Sequence, residues 1–170
     1  MIIAVVLMLA AAFVAWRISG KPHFVIGGAD DPYLLRWWVV PRNRFLNVYL
    51  HKIVRSDDDR ALHDHPWPNV SVILSGGYVE VMPLSQSQSG LDDHLGRTVA
   101  MVRSAGSIVL RRPTHRHRLE VGDPCLSLFI TGPKVREWGF YCKSGWVLWR
   151  DFVEETDHGN IGRGCGEDAA

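Results

Sequence analysis

The residues of this chain that could do chemistry are its histidines. His63 and His65 flank Asp64, and residues two apart on an extended strand project to the same face. Such a pair can hold one divalent metal ion from one side, provided a distant segment brings a third ligand. His115 and His117 repeat the spacing later in the chain and are the two candidates. Neutral imidazole suits iron, zinc, nickel, copper or manganese, and three of them leave positions open for water or substrate. The competing reading is a solvated HxH loop beside Asp57-Asp58-Asp59. Convergence on a metal is the expectation adopted.

A third ligand from so far away needs strands that bring distant segments together. Residues 47–54 alternate, with Val48, Leu50 and Val54 on one face and Tyr49, His51 and Ile53 on the other. Further strand-like runs occupy 33–40, 70–74, 78–82, 97–102, 107–111, 117–121, 125–131 and 145–149. Ser75-Gly76-Gly77, Gly106, Gly122-Asp123-Pro124 and Gly132-Pro133 supply turns between most of them. With no amphipathic helix after residue 20, this succession predicts an all-β fold, a small antiparallel β-barrel or sandwich. The expected organisation is an apolar segment 1–20, a linker 21–32, a barrel 33–155 and a tail 156–170 too glycine-rich to pack. Residues 85–90 read as a polar loop.

Two stretches resemble the motifs of the cupin superfamily. The first motif runs HxH, three or four residues, Glu, six residues, Gly; here His63 and His65 are followed by Asn69 and Gly76. The second runs Gly, five residues, Pro-x-Gly, two residues, His. Here Gly106 is followed by Arg112-Pro113-Thr114-His115-Arg116-His117, shifted by one at each end and lacking the inner glycine. The resemblance covers roughly residues 47–131. It implies a jelly-roll barrel with His63, His65 and His117 as metal ligands, His117 matching the motif histidine better than His115. Residues 36–45 and 131–140 also look like small bacterial and phage-encoded cupin-like proteins, which implies a fold and no activity.

Asn69 stands where that family places an acidic ligand. Three neutral histidines leave the ion's charge uncompensated, which favours an anionic ligand such as hydroxide or a substrate carboxylate. Thiol dioxygenases resemble this arrangement. The resemblance therefore implies a divalent metal, Fe(II) first with Zn, Mn or Ni as alternatives, and an oxygenase acting on a small anionic molecule. A non-catalytic ligand-binding or protein-interaction barrel stays open, as does an isomerase using a histidine base. No residue is assigned a catalytic role.

Around the histidines, Asn69 is expected to ligate weakly or hydrogen-bond a bound water, and His51 to orient a ligand or substrate. Tyr49 shares the face of His51. Trp67 is the tryptophan expected at the pocket, whereas Trp138, Trp146 and Trp149 read as core or edge packing. Arg112, with Arg111, could clamp a carboxylate at the barrel mouth. His115 reads as a rim residue. Glu80 and Glu120 would be bases only if they faced inward, and strand glutamates are mostly solvated.

Composition excludes little else. The chain has 170 residues and a net charge of +1 with histidine neutral, so no basic surface points to nucleic acid. Three cysteines without a CxxC pair argue against a disulfide framework and for a reduced compartment. Residues 1–16 are uninterrupted apolar sequence, about 24 Å as a helix at roughly 1.5 Å per residue against a hydrocarbon core of about 30 Å. Two readings stay open for them, a membrane anchor and a tail the domain does not need. Because Arg17 and Lys21 follow the run, an anchor would leave the rest cytoplasmic. A homodimer is also open.

Overall fold

The computed structural model describes residues 2–28, 30–57, 61–86, 97–154 and 162–166. Asp58 and Asp59, the polar loop from residue 87 onward and most of the tail lie outside the described residues. A helix, α1 (Ile2–Ser19), precedes the strands β1 (Phe24–Ile26), β2 (Leu34–Trp38), β3 (Asn47–Ile53), β4 (Leu62–His63), β5 (Asn69–Ser75) and β6 (Gly77–Pro83). Then come β7 (Thr98–Ser104), β8 (Ile108–Arg111), β9 (Arg118–Glu120), β10 (Cys125–Thr131), β11 (Gly139–Cys142) and β12 (Gly145–Leu148), and a one-turn helix α2 (Trp149–Phe152).

All strand pairings are antiparallel. One sheet has the order β1-β2-β3-β10-β5-β8, and the opposing layer consists of β12-β11-β4 and β7-β6-β9. A single bridge joins the two halves of that layer, between His63 and His117. Each donates its backbone N–H to the other's carbonyl, at 2.9 and 3.0 Å. The core lies between the layers: Leu34, Ile53, Ile73 and Cys125 from the first meet Tyr78 and Leu119 from the second.

Period-two alternation produces this directly. Along β10, Cys125, Ser127, Phe129 and Thr131 are buried while the residues between them are half-buried. Gly76 turns β5 into β6 with φ +68°, and a Cβ there would lie 2.5 Å from the Pro124 carbonyl oxygen. Glycine is thus required at this turn by both conformation and space.

Several expectations need correction. The segment 21–32 is more than a linker, because β1 inside it pairs with β2. The strands β1 and β4 are too short to show a period, and β11 begins at a glycine. The cysteines also depart from expectation: Cys142 and Cys165 form a disulfide, leaving only Cys125 free and buried. The described part of the tail, 162–166, is accordingly tied down, with the N–H groups of Gly162 and Gly164 donating to Phe152 O at 2.9 and 3.0 Å. A Cβ on Gly162 would come within 2.6 Å of Val153 O. Glycine there permits close packing of backbone on backbone.

The helix α1 is present as expected, mostly exposed, with Val14, Arg17 and Ile18 half-buried, and long and apolar enough to cross a membrane. Its end touches the barrel through Arg17, which donates from Nη2 to Trp38 O at 3.0 Å, and through Gly20 O, which accepts from Trp37 Nε1 at 2.8 Å.

Candidate metal centre

The HxH pair straddles a strand end. His63 closes β4, and His65 lies beyond it, its backbone N–H donating to Pro113 O at 3.1 Å. Asp64 between them turns away and is fully buried. Its carboxylate accepts from Gly139 N at 2.9 Å, from Tyr141 Oη at 3.0 Å and from Arg136. This network holds the turn that aims both imidazoles into the barrel. His117, immediately before β9, comes from the opposite side of the bridge.

The three rings form a triangle with centroid separations of 5.2, 5.0 and 5.2 Å, and their ligating nitrogens all lie within 4.8 Å of one another. His65 Nε2 is 3.0 Å from His117 Nε2. Two nitrogens bound at right angles about 2.1 Å from one ion would be about 3.0 Å apart. The donor set therefore fits a divalent metal ion, which this cluster could hold.

Behind His117 stands Glu80, fully buried on β6. Its Oε1 lies 2.9 Å from His117 Nδ1, 3.3 Å from His115 Nε2 and 2.6 Å from Arg111 Nε; Oε2 accepts from Arg103 Nε at 2.8 Å. Burial alone would raise this carboxyl. The hydrogen bonds from His115 and His117 and the charge of Arg111 overcome it, holding the group well below the carboxylate range. Burial pushes His117 down to about 3, and lowers His65 well below the usual histidine value, helped by His63 and His117. Both imidazoles are therefore neutral, and the His117–Glu80 contact is a hydrogen bond rather than an ion pair. With Nδ1–H donated to Glu80, the Nε2 lone pair of His117 faces the cavity.

Other residues fall on both sides of expectation. Asn69 is buried, and neither polar atom of its side chain has a hydrogen-bond partner, nor does Trp67 Nε1. Asn69 is not among the residues that line the cavity; buried polar atoms without partners are what an unseen water would satisfy. Trp67 lines the cavity as expected, its ring 6.5 Å from that of His65. His51 also lines it, stacked on Phe129 at 4.8 Å, with Tyr49 stacked on His51 at 5.8 Å. His115 is half-buried and reaches Glu80 rather than the HxH pair.

Arg112 is exposed, so it clamps nothing in the cavity; strand alternation puts Arg111 inside instead. Arg111 also donates to Ser71 Oγ at 2.9 Å and Tyr78 Oη at 3.0 Å. Glu120 is exposed and paired with Arg118, which removes it as a base. Trp138 and Trp149, expected to be packing residues, stack on each other at 5.7 Å and line the cavity, Trp138 with its ring 6.2 Å from that of His65. Glu80 and Arg111 were legible only as the inward positions of alternating strands. The cavity encloses about 460 Å³ and has a largely aromatic wall.

No protein-family model matches the chain, and no curated protein matches it significantly. Solved structures are similar to it at low identity. DMSP lyase DddQ from Ruegeria pomeroyi has 15% identity and a TM-score of 0.48, with 79% of this chain and 61% of that chain covered. The chain thus spans less than two thirds of that protein. An uncharacterised protein with a double-stranded β-helix domain from Klebsiella pneumoniae has 13% identity and a TM-score of 0.47, covering 68% of this chain and 90% of its own. A cupin superfamily protein from Desulfitobacterium hafniense has 9% identity and a TM-score of 0.44, with coverage of 63% and 84%. The strand order, and the meeting of two distant histidine motifs between its layers, give this chain a cupin-like fold.

Proposed function

We propose that this protein is a metal-dependent enzyme that acts on a small anionic molecule, with His63, His65 and His117 holding the ion and Fe(II) the favoured metal. The carrying observation is the convergence of three imidazoles on an aromatic cavity, with the carboxylate of Asp57 3.9 Å from His63 Nδ1. A bound ion would supply Lewis acidity or redox chemistry. The chain's own groups do the rest. Glu80 holds the proton on His117 Nδ1, and Trp67 and Trp138 exclude bulk water beside His65. The reaction we favour is an oxygenation, supported by the likeness of the three-histidine set to that of thiol dioxygenases.

Elemental analysis of the full-length protein, reconstituted anaerobically with Fe(II), Mn or Zn, should find one ion per chain. Oxygen uptake with a panel of small thiols and carboxylic acids then tests the reaction class. Failure to retain any of these ions would leave the second reading, a non-catalytic ligand-binding barrel, which the aromatic cavity favours.

We further propose that α1 anchors the barrel to a membrane, since it is long and apolar enough to cross one and most of its described side chains are exposed. Sedimentation of the protein with membranes, and its release by detergent but not by carbonate, would support that. Disulfides persist in oxidising compartments, so the Cys142–Cys165 bridge favours an extracytoplasmic barrel over the cytoplasmic one expected from Arg17 and Lys21.

A further inference from the structure

The cavity that holds the histidine triangle is also lined by a guanidinium, that of Arg36, which has no acidic partner among the described residues. Arg36 on β2 lies in register with His51 on β3, which lies in register with Ser127 on β10. All three line the cavity, forming a polar row across a largely apolar wall. Arg36 Nε donates to His51 Nε2 at 2.8 Å, and its guanidinium lies over the rings of Tyr49 at 4.9 Å and Phe24 at 5.9 Å. That bond consumes one of five guanidinium N–H donors. Among the described residues no carboxylate pairs with Arg36, whereas Arg103 and Arg111 share Glu80.

Two further observations sharpen the imbalance. Arg42 lines the same cavity with its guanidinium over Trp38 at 5.7 Å, and no acidic partner for it occurs among the described residues. Asp57, the described acid lining the cavity, is occupied by the backbone N–H of Leu119 at 2.7 Å. Burial lowers Arg36 to about 10, with Arg42 adding repulsion, so the group is still charged at neutral pH but poorly solvated. An unpaired, desolvated guanidinium facing a cavity is stabilised by a planar anion that takes two of its N–H groups at once.

We infer that Arg36 is the anion-recognition residue of this cavity and that its ligand is the carboxylate of an aromatic acid. The planar fork of the half-buried Arg36 guanidinium matches the two oxygens of a carboxylate, and Arg42, the other cation of the lining without an acidic partner among the described residues, is exposed to solvent. The body of the ligand would lie along Phe129, which stacks on His51 and has its ring 6.4 Å from that of His65. Carboxylate and metal site would then be at opposite ends of one bound molecule. This deepens the proposed function by naming the anionic group; it rests on the cavity being the ligand site and does not require the metal.

The test uses the full-length chain treated with EDTA, with binding read from tryptophan fluorescence. The probes are 1-naphthoate and its uncharged counterpart 1-naphthamide. A charged hydrogen bond contributes about 1.5–3 kcal/mol, so the carboxylate should bind at least about tenfold more tightly. Arg36→Gln should abolish that preference while leaving amide binding and metal stoichiometry unchanged. Equal affinity of the two probes for the wild-type protein would overturn the inference without any variant having to fold. So would displacement of naphthoate by inorganic phosphate at comparable concentration. A protein that discriminates the probes yet retains no metal would keep this inference and remove the metal reading.

Discussion

Glu80 Oε1 lies 2.9 Å from His117 Nδ1, and that contact decides which nitrogen of His117 faces the cavity. The same oxygen takes Arg111 Nε at 2.6 Å. The carboxylate therefore remains ionised where an isolated buried acid would protonate. A buried strand glutamate thus serves the metal site without touching the metal.

Replacing His63, His65 or His117 by alanine is expected to weaken divalent-metal binding by more than about tenfold, since losses behind the ligands alone cost that much. His115→Ala should cost less, because His115 contacts Glu80 and only indirectly supports His117. Metal titration with a competing chelator separates them. If His115→Ala proved as damaging as His117→Ala, the third ligand would be misassigned.

Glu80→Ala removes the partner of two arginines and one ligand. Leaving buried charge uncompensated costs about 3–5 kcal/mol, so the variant should melt far below wild type. Glu80→Gln keeps the shape and part of the bonding; it should fold, with metal affinity reduced by about 10–100-fold. Denaturant melts together with metal titration check both, and a Gln variant of undiminished affinity would contradict the role.

Acid should destabilise the metal-free barrel through its buried imidazoles. In the unfolded chain a histidine protonates near 6.5, whereas folded His117 does so only near 3. Between those values the unfolded state binds more protons. Stability must therefore fall as pH falls through this window, by up to about 1.4 kcal/mol per unit for each such histidine. Above 6.5 the term contributes no slope. Urea midpoints in EDTA from pH 8 to pH 5 should show the decline, and His117→Gln should flatten it.

Reducing the Cys142–Cys165 bridge opens a loop with a sequence separation of 23. On the loop-entropy account this costs about 3 kcal/mol. The loss should be felt at the aromatic wall, because the bridged segment packs on Phe152, whose ring stacks on Phe140 at 3.7 Å. Thermal melts with and without a dithiol measure it; identical melting would mean the bridge does not form in solution.

Removing residues 1–20 should change the melting temperature little, because the described hydrogen bonds from this segment to the rest are few: Arg17 to Trp38 O and to the His23 ring, and Gly20 O to Trp37 Nε1. A large drop in a chain starting at Lys21 would show that α1 packs on the barrel.

Alternation and turn chemistry made most strands legible, β10 to the residue, and the HxH spacing pointed to a pair of imidazoles that the structure does bring together with His117. What stayed hidden depends on partners far away in sequence. Glu80 looks like any solvated strand glutamate until Arg103, Arg111 and His117 surround it. Arg111 and Arg112 differ only in which way the pleat points them. Cys142 and Cys165 carry no spacing signal, and the glycines around the second read as looseness when they serve close approach. Trp138 follows an irregular stretch that no period describes.

The bridge between β4 and the residue before β9 is one pair, His63 and His117, with two hydrogen bonds, flanked by the bonds from Asp57 N to Leu119 O and from His65 N to Pro113 O. It links two three-stranded sheets by a single bridged pair, and so short a join is a place where the barrel could open locally. An ion held by both side chains would rivet that join from within. Occupancy and breathing would then be coupled, because whatever binds only the closed form slows opening in proportion to how tightly it binds. The backbone amides of these two histidines would report it, trading deuterium quickly in the stripped protein and slowly once the ion is in place.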